Sequence, residues 1–211
     1  MTKENRQKCC AKKGIFGIVI LLIAISVFIV WNKAPVIQSS DHYGTWFDAP
    51  QPVKPFTLES TQGKNFTEKS FEGHWSWVFF GFSSCPDMCP NTMKAFKVAL
   101  AQLKKDNVTL LPEVVFVSID PKRDTLAVLR QYVKAFDPSF IGLVGPISQV
   151  EILARQMNVS FKDMGNGMIQ HSGTVTVINP QGEIQAYFPW MDEPKKVAAD
   201  YELMLNSHST S

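Results

Sequence analysis

Residues 75–93 read WSWVFFGFSSCPDMCPNTM. The first part, Trp75 to Phe82, is a run of aromatic and β-branched side chains. Apolar residues at both parities predict a strand buried on both faces. The run then turns polar and is punctuated by proline. Cys85 precedes Pro86 and Cys89 precedes Pro90, and a residue before proline is biased towards extended backbone. Pro90 suits the first position of a helix, with Cys89 as its cap. The stretch TMKAFKVALAQLKKD puts Met93, Phe96, Ala99, Leu100 and Leu103 on one helical face. The two cysteines are therefore expected on a loop between a buried strand and a helix start. The partial positive charge of a helix N-terminus favours thiolate there, and Asp87 opposes it.

The pattern continues outward in both directions. FTLESTQGKNFT, before the strand, predicts two short strands around a Gln62–Gly63 turn. EVVFVSID is a second buried strand ending at Asp120–Pro121, and TLAVLRQYVKAF is a helix with Asp124 placed to cap it. FIGLVG is a short strand and SQVEILARQM a helix. GTVTVINPQGEIQAYF is a hairpin turning at residues 179–182, and PKKVAADYELML is a closing helix. Strand, helix, strand, helix, then a hairpin and a last helix define an α/β domain with a mixed central sheet. That order fits a thioredoxin-like fold.

The chain has 211 residues, 45% of them hydrophobic and 19% charged. These values exclude a disordered chain and a multispan membrane protein. The net charge of +2 is unevenly spread. Lys3, Arg6, Lys8, Lys12 and Lys13 against Glu4 give residues 1–31 a charge of +4, which leaves −2 for the rest. A mildly acidic body argues against nucleic acid as a partner. Ile15 to Trp31 is uncharged and almost wholly apolar, and as a helix it is roughly 25 Å long. The basic cluster before it sets the cytoplasmic side and Trp31 the far interface. A cleaved signal peptide is the alternative, but no small-residue cleavage site follows closely. The expected organisation is a cytoplasmic basic segment (1–14), a transmembrane anchor (15–31), a linker (32–55) and the α/β domain (56–207). Cys85 and Cys89 then face an oxidising compartment, whereas Cys9 and Cys10 stay on the reducing side. The expected location is a bacterial inner membrane with the domain in the periplasm, ahead of a mitochondrial inner membrane, since no Arg- and Ser-rich presequence precedes the anchor.

Three roles compete for Cys85 and Cys89: a structural disulfide, a redox pair, or half of a metal site. A bridge this short removes little loop entropy. Thioredoxin-type motifs have two residues between their cysteines, and three stand here. Phe82 and Pro86 occupy the positions where a peroxidatic cysteine has Thr or Ser. Two thiolates alone hold Cu(I), and an imidazole would extend the site to Cu(II). A four-ligand zinc site would need histidine from elsewhere. The candidates are His42, His74, His171 and His208. His42 falls in the linker, His208 in the tail, and His74 at the far end of the buried strand. His171 precedes the hairpin after the glycine-containing loop DMGNGMIQ.

Taken together, GFSSCPDMCPNTM, VSIDPKRDT and HSGTVTVINPQGEI resemble the Sco/SenC family from about Phe56 to about Leu205. These are membrane-anchored, thioredoxin-like copper proteins of cytochrome c oxidase assembly. The resemblance implies that Cys85, Cys89 and His171 bind copper, as Cu(I), Cu(II) or both, and that Cys85 and Cys89 can cycle to a disulfide. It implies a metallochaperone, not an enzyme, that receives copper from a donor and delivers it to the dinuclear copper site of oxidase subunit II. A thiol–disulfide oxidoreductase that reduces the cysteines of that copper site is the alternative. The hallmark DPKRDT reads as a turn and helix cap. Ser84 and Gln170 depart from the family pattern: relatives often carry an aromatic or His at the first and Asp at the second.

Overall fold

The structure, a computed structural model, describes residues 42–208 apart from Asn166. All of them belong to the unit Ile37–Ser211. The expected anchor and Cys9 and Cys10 lie outside the described residues. Among the described residues no helix is long and apolar enough to cross a membrane.

The strands are β1 (Thr45–Pro52), β2 (Thr57–Ser60), β3 (Asn65–Thr67), β4 (Ser76–Gly81), β5 (Glu113–Ser118), β6 (Ile141–Val144), β7 (Phe161–Asp163), β8 (Ile169–His171), β9 (Val175–Ile178) and β10 (Glu183–Phe188). The helices are α1 (Met88–Lys105), α2 (Leu126–Phe136), α3 (Ile147–Gln156) and α4 (Pro194–His208). Eight strands form one sheet in the order β1-β10-β9-β4-β5-β6-β2-β3. The centre is parallel, β4 with β5 and β5 with β6. Antiparallel pairs flank it on both sides. This is the mixed central sheet expected of a thioredoxin-like α/β domain. The strands β7 and β8 stand apart as a two-stranded hairpin.

The run that opened the reading is the centre of the core. Every residue of β4 is buried, as a strand covered on both faces requires. The Trp77 ring lies 5.9 Å from Phe96 of α1 and 5.3 Å from Tyr201 of α4. The Phe79 ring lies 6.2 Å from Phe96 and 6.0 Å from Phe116 of β5. Each large side chain buried this way contributes about 1.5–3 kcal/mol. Together they hold α1, and with it Cys89, at a fixed height over the sheet.

The expected linker is corrected in part. Thr45–Pro52 is an edge strand, antiparallel to β10, with a register shift between Trp46 and Gln51. Pro50 and Pro52 are tolerated because an edge strand has one side free of ladder bonds. The strand is also tied to α4. Asp200, buried, accepts hydrogen bonds from Gly44 N (3.0 Å) and Trp46 Nε1 (3.0 Å) and sits 2.9 Å from His42 Nδ1. Asp200→Ala leaves these donors without their acceptor, and the expected loss is about 2 kcal/mol. Hydrogen exchange should then speed up in Thr45–Pro52 and stay slow in Ser76–Gly81. Unchanged protection of β1 would mean that β10 alone holds it.

Candidate metal centre

The parallel strands β4 and β5 end side by side, Gly81 opposite Ser118. The loops beyond their carboxyl ends carry Cys85 and the DPKRDT segment, the usual place for a site in such sheets. The backbone beyond β4 is ordered by local bonds. Cys85 N donates to Phe82 O at 3.1 Å, and Cys89 N donates to Cys85 Sγ at 3.5 Å.

One expectation about the cysteines is corrected here. The helix begins at Met88, with Asp87 at its cap position, so Cys89 lies inside the first turn and is not its cap. Cys85 remains on the loop, half-buried, whereas Cys89 is fully buried. Both are free thiols. The packing of Cys89 depends on Gly81. A β-carbon at Gly81 would lie 2.7 Å from Cys89 Sγ and 2.9 Å from the Phe116 ring. Only glycine leaves room for the sulfur against the strand. That burial pushes the Cys89 thiol well above its ordinary range, and Cys85 and Asp124 nearby push the same way. In the metal-free site, desolvation outweighs the helix N-terminus that was expected to favour thiolate.

His171 arrives from the other direction, at the end of β8. Its pairing with Phe161 in the β7–β8 hairpin sets its position. The rings of Phe79 (5.9 Å) and Phe82 (6.0 Å) flank the imidazole. Burial holds its pKa below the ordinary value, so the neutral form prevails at neutral pH. Nδ1 is 3.0 Å from the Ser172 carbonyl oxygen. A carbonyl only accepts, so Nδ1 carries the proton and Nε2 is left with a free lone pair. That Nε2 sits 3.6 Å from Cys89 Sγ.

The ligand atoms of Cys85, Cys89 and His171 all lie within 4.8 Å of one another. Bond lengths of about 2.0–2.3 Å to nitrogen and sulfur place ligand atoms of a three-coordinate ion about 3.7 Å apart. The donor set fits such an ion with modest adjustment. Two sulfurs and an imidazole exclude calcium and magnesium, which take oxygen ligands. They select soft or borderline ions, copper foremost. Among the described residues no fourth Cys, His, Asp or Glu joins the cluster, so a closed four-ligand zinc cage is not formed. On its outer side His171 borders a hollow of about 380 Å³ with Ser160, Phe161, Lys162, Gln170 and Ser172.

The other three histidines are engaged elsewhere. His42 meets Asp200. His74 Nε2 meets Glu113 Oε2 at 3.1 Å. His208 ends α4, with Nε2 3.0 Å from Gln185 Oε1 and its ring 5.1 Å from Trp75.

Asp124 is also not where the sequence put it. Thr125 caps α2, its hydroxyl oxygen accepting from Val128 N at 3.3 Å. Asp124 is fully buried and its carboxylate turns inward. It accepts from Ser83 N (3.1 Å), from the Ser83 hydroxyl, and from the Ser118 hydroxyl (2.6 Å). It thus ties the start of the cysteine loop to the end of β5. The local pattern D-T before an apolar run suits a cap equally at either residue, so sequence alone could not find this role.

The family model described as SCO1/SenC matches residues 48–206. The human "Protein SCO1 homolog, mitochondrial" is 34% identical over 152 residues, covering 69% of this chain and 50% of the human protein. This chain thus spans about half the length of that relative. The crystal structure of yeast Sco1 with copper bound superposes with a TM-score of 0.68 at 29% identity, covering 75% of this chain and 90% of that one. The solution structures of apo Sco1 from Thermus thermophilus give 0.67 at 34% identity, covering 77% and 96%.

Proposed function

The chain belongs to the SCO1/SenC family, and from that premise we propose that it is a copper carrier in the assembly of cytochrome c oxidase. Its cargo is held by Cys85, Cys89 and His171. The observation that carries this reading is the convergence of two thiols and one deprotonated Nε2 within 4.8 Å. The copper-bound yeast structure supports the choice of metal. The recipient is the dinuclear copper site of oxidase subunit II, reached on the outer face of a bacterial inner membrane. The apolar segment Ile15–Trp31 anchors the carrier to that bilayer and confines its search to the surface.

Three ligands suit a carrier. They satisfy Cu(I), and the ion remains open to an incoming donor on the side where His171 borders the hollow. Ligand exchange can then proceed through a mixed complex, whereas a closed cage would have to open first. With the reduced full chain, one tight equivalent of Cu(I) is expected in competition with a calibrated chelator. Cys85→Ser should lower that affinity by about two orders of magnitude or more, since loss of even an outer-shell partner of a metal site costs about 10–100-fold. Failure of the reduced protein to compete for Cu(I) would overturn the reading.

The asymmetry of the two thiols supports a second role at the same site. Half-exposed Cys85 can attack a disulfide of the recipient, and buried Cys89 can then resolve the mixed disulfide. The pair gives up two electrons and two protons and closes as Cys85–Cys89, while the recipient's disulfide becomes two thiols. This oxidoreductase reading needs no His171. A reduced chain that fails to bind copper yet reduces a subunit II disulfide would favour it.

A further inference from the structure

Beside the Cys–Cys–His cluster stands a pair of soft groups that the cluster does not use. Gly173 is two residues beyond His171, and Met88 immediately precedes Cys89. A β-carbon at Gly173 would lie 3.0 Å from two ring carbons of Trp190 and 3.4 Å from Met88 Sδ. The indole and the thioether therefore meet over one patch of bare backbone. Trp190 is 51% exposed, unusual for a ring that is neither core nor surface scatter. Its position is held from below, where the Tyr43 hydroxyl donates to its carbonyl oxygen at 2.9 Å. Tyr43 also bonds Asp192.

We propose that Met88 and Trp190 form a second, weaker station for a soft monovalent cation, Cu(I), at the mouth of the Cys85–Cys89–His171 site. The proposal rests on the copper-carrier reading for its cargo. A thioether is a soft ligand that selects Cu(I). The indole face is the strongest aromatic attractor of cations. Neither group is charged or titrates, so the station neither competes for protons nor holds the ion as tightly as thiolate. Cu(I) enters and leaves as Cu(I), with no electron transferred. Cys89 is wholly buried, so an ion must reach it past the half-exposed groups around it. Met88 is joined to Cys89 through the chain, and Gly173 is joined to His171 through Ser172. The station thus touches the segments that carry two of the three ligands.

The test uses the reduced full chain with Cys9→Ser and Cys10→Ser, titrated with Ag(I) as a redox-silent probe of Cu(I) chemistry. The first equivalent fills the dithiol. A second, weaker phase is expected to quench indole fluorescence and raise absorbance at the red edge of the tryptophan band. Trp190→Leu should abolish that second phase. Met88→Leu should weaken it at least tenfold, and Met164→Leu, at another exposed methionine, should leave it unchanged. A second phase that is missing, or that survives Trp190→Leu or Met88→Leu intact, would overturn the proposal. Absence of the first phase would instead count against the carrier reading, and an indole quench that still required Met88 would support the station on its own. Repeating the titration with Cys85→Ser and Cys89→Ser added should leave the indole phase alone, which separates the two sites directly.

Discussion

His171→Ala is expected to weaken Cu(II) binding by on the order of 100-fold or more, since it removes a direct ligand and even the loss of an outer partner costs about 10–100-fold. Cu(I) should suffer less. Two thiolates satisfy Cu(I) without help, whereas Cu(II) prefers a site with nitrogen. The fold should survive the change. The side-chain bond lost, Nδ1 to the Ser172 carbonyl, is between adjacent residues. The backbone pairing of Phe161 with His171 remains. Unfolding free energy should change by about 1 kcal/mol or less. Chelator competition in both oxidation states, with the thiolate-to-copper absorption band as a second readout, checks this. Full Cu(II) affinity in a folded His171→Ala protein would remove the imidazole from the site.

Asp124→Ala is expected to be the most damaging single change outside the ligands. Three donors lose their acceptor at once: Ser83 N, the Ser83 hydroxyl and the Ser118 hydroxyl. An orphaned buried donor costs about 1–3 kcal/mol, and the two hydroxyls can rotate to find other acceptors. A net loss of about 3 kcal/mol is a large fraction of a stability of about 5–15 kcal/mol. The midpoint of urea unfolding reads it. The second effect falls on the metal. Ser83 leads directly into Cys85, so the freed loop should hold its thiol less well and the remaining folded protein should bind Cu(I) more weakly. Asp124→Asn keeps one carbonyl oxygen for the Ser83 N–H and should fall between the wild type and the alanine variant. A destabilisation of Asp124→Ala below about 0.5 kcal/mol, the size of an ordinary surface change, would show that the carboxylate is not what ties the loop to β5.

The sequence by itself determined the parts whose information is local. Apolar residues at both parities through Trp75–Phe82 can only be covered on two faces, and β4 is buried throughout. The face of Met93, Phe96, Ala99, Leu100 and Leu103 could be read because helical periodicity is a property of neighbours, and all five are buried. The hairpin turning at Asn179–Gly182 was legible from its turn residues. The cysteine loop was legible from its two prolines, short of the turn of helix that takes in Cys89.

The tertiary structure decided everything that joins distant segments. Four histidines were open to the cysteines, and only the register of β7 against β8 brings His171, 82 positions on, to Cys89. That hairpin looked like a loop because its strands are three residues each, too short to carry a period. The strand β1 was read as linker because an edge strand is held through its backbone, which writes no pattern into its side chains. Asp124 was read as a cap because the donors it satisfies lie 41 residues earlier, at Ser83, and across the sheet at Ser118. The protonation of Cys89 was read from its helix start, a short-range field. Its burial against Gly81 and Phe116 is set by long-range packing, and desolvation of a fully buried thiol outweighs a partial charge at a helix end.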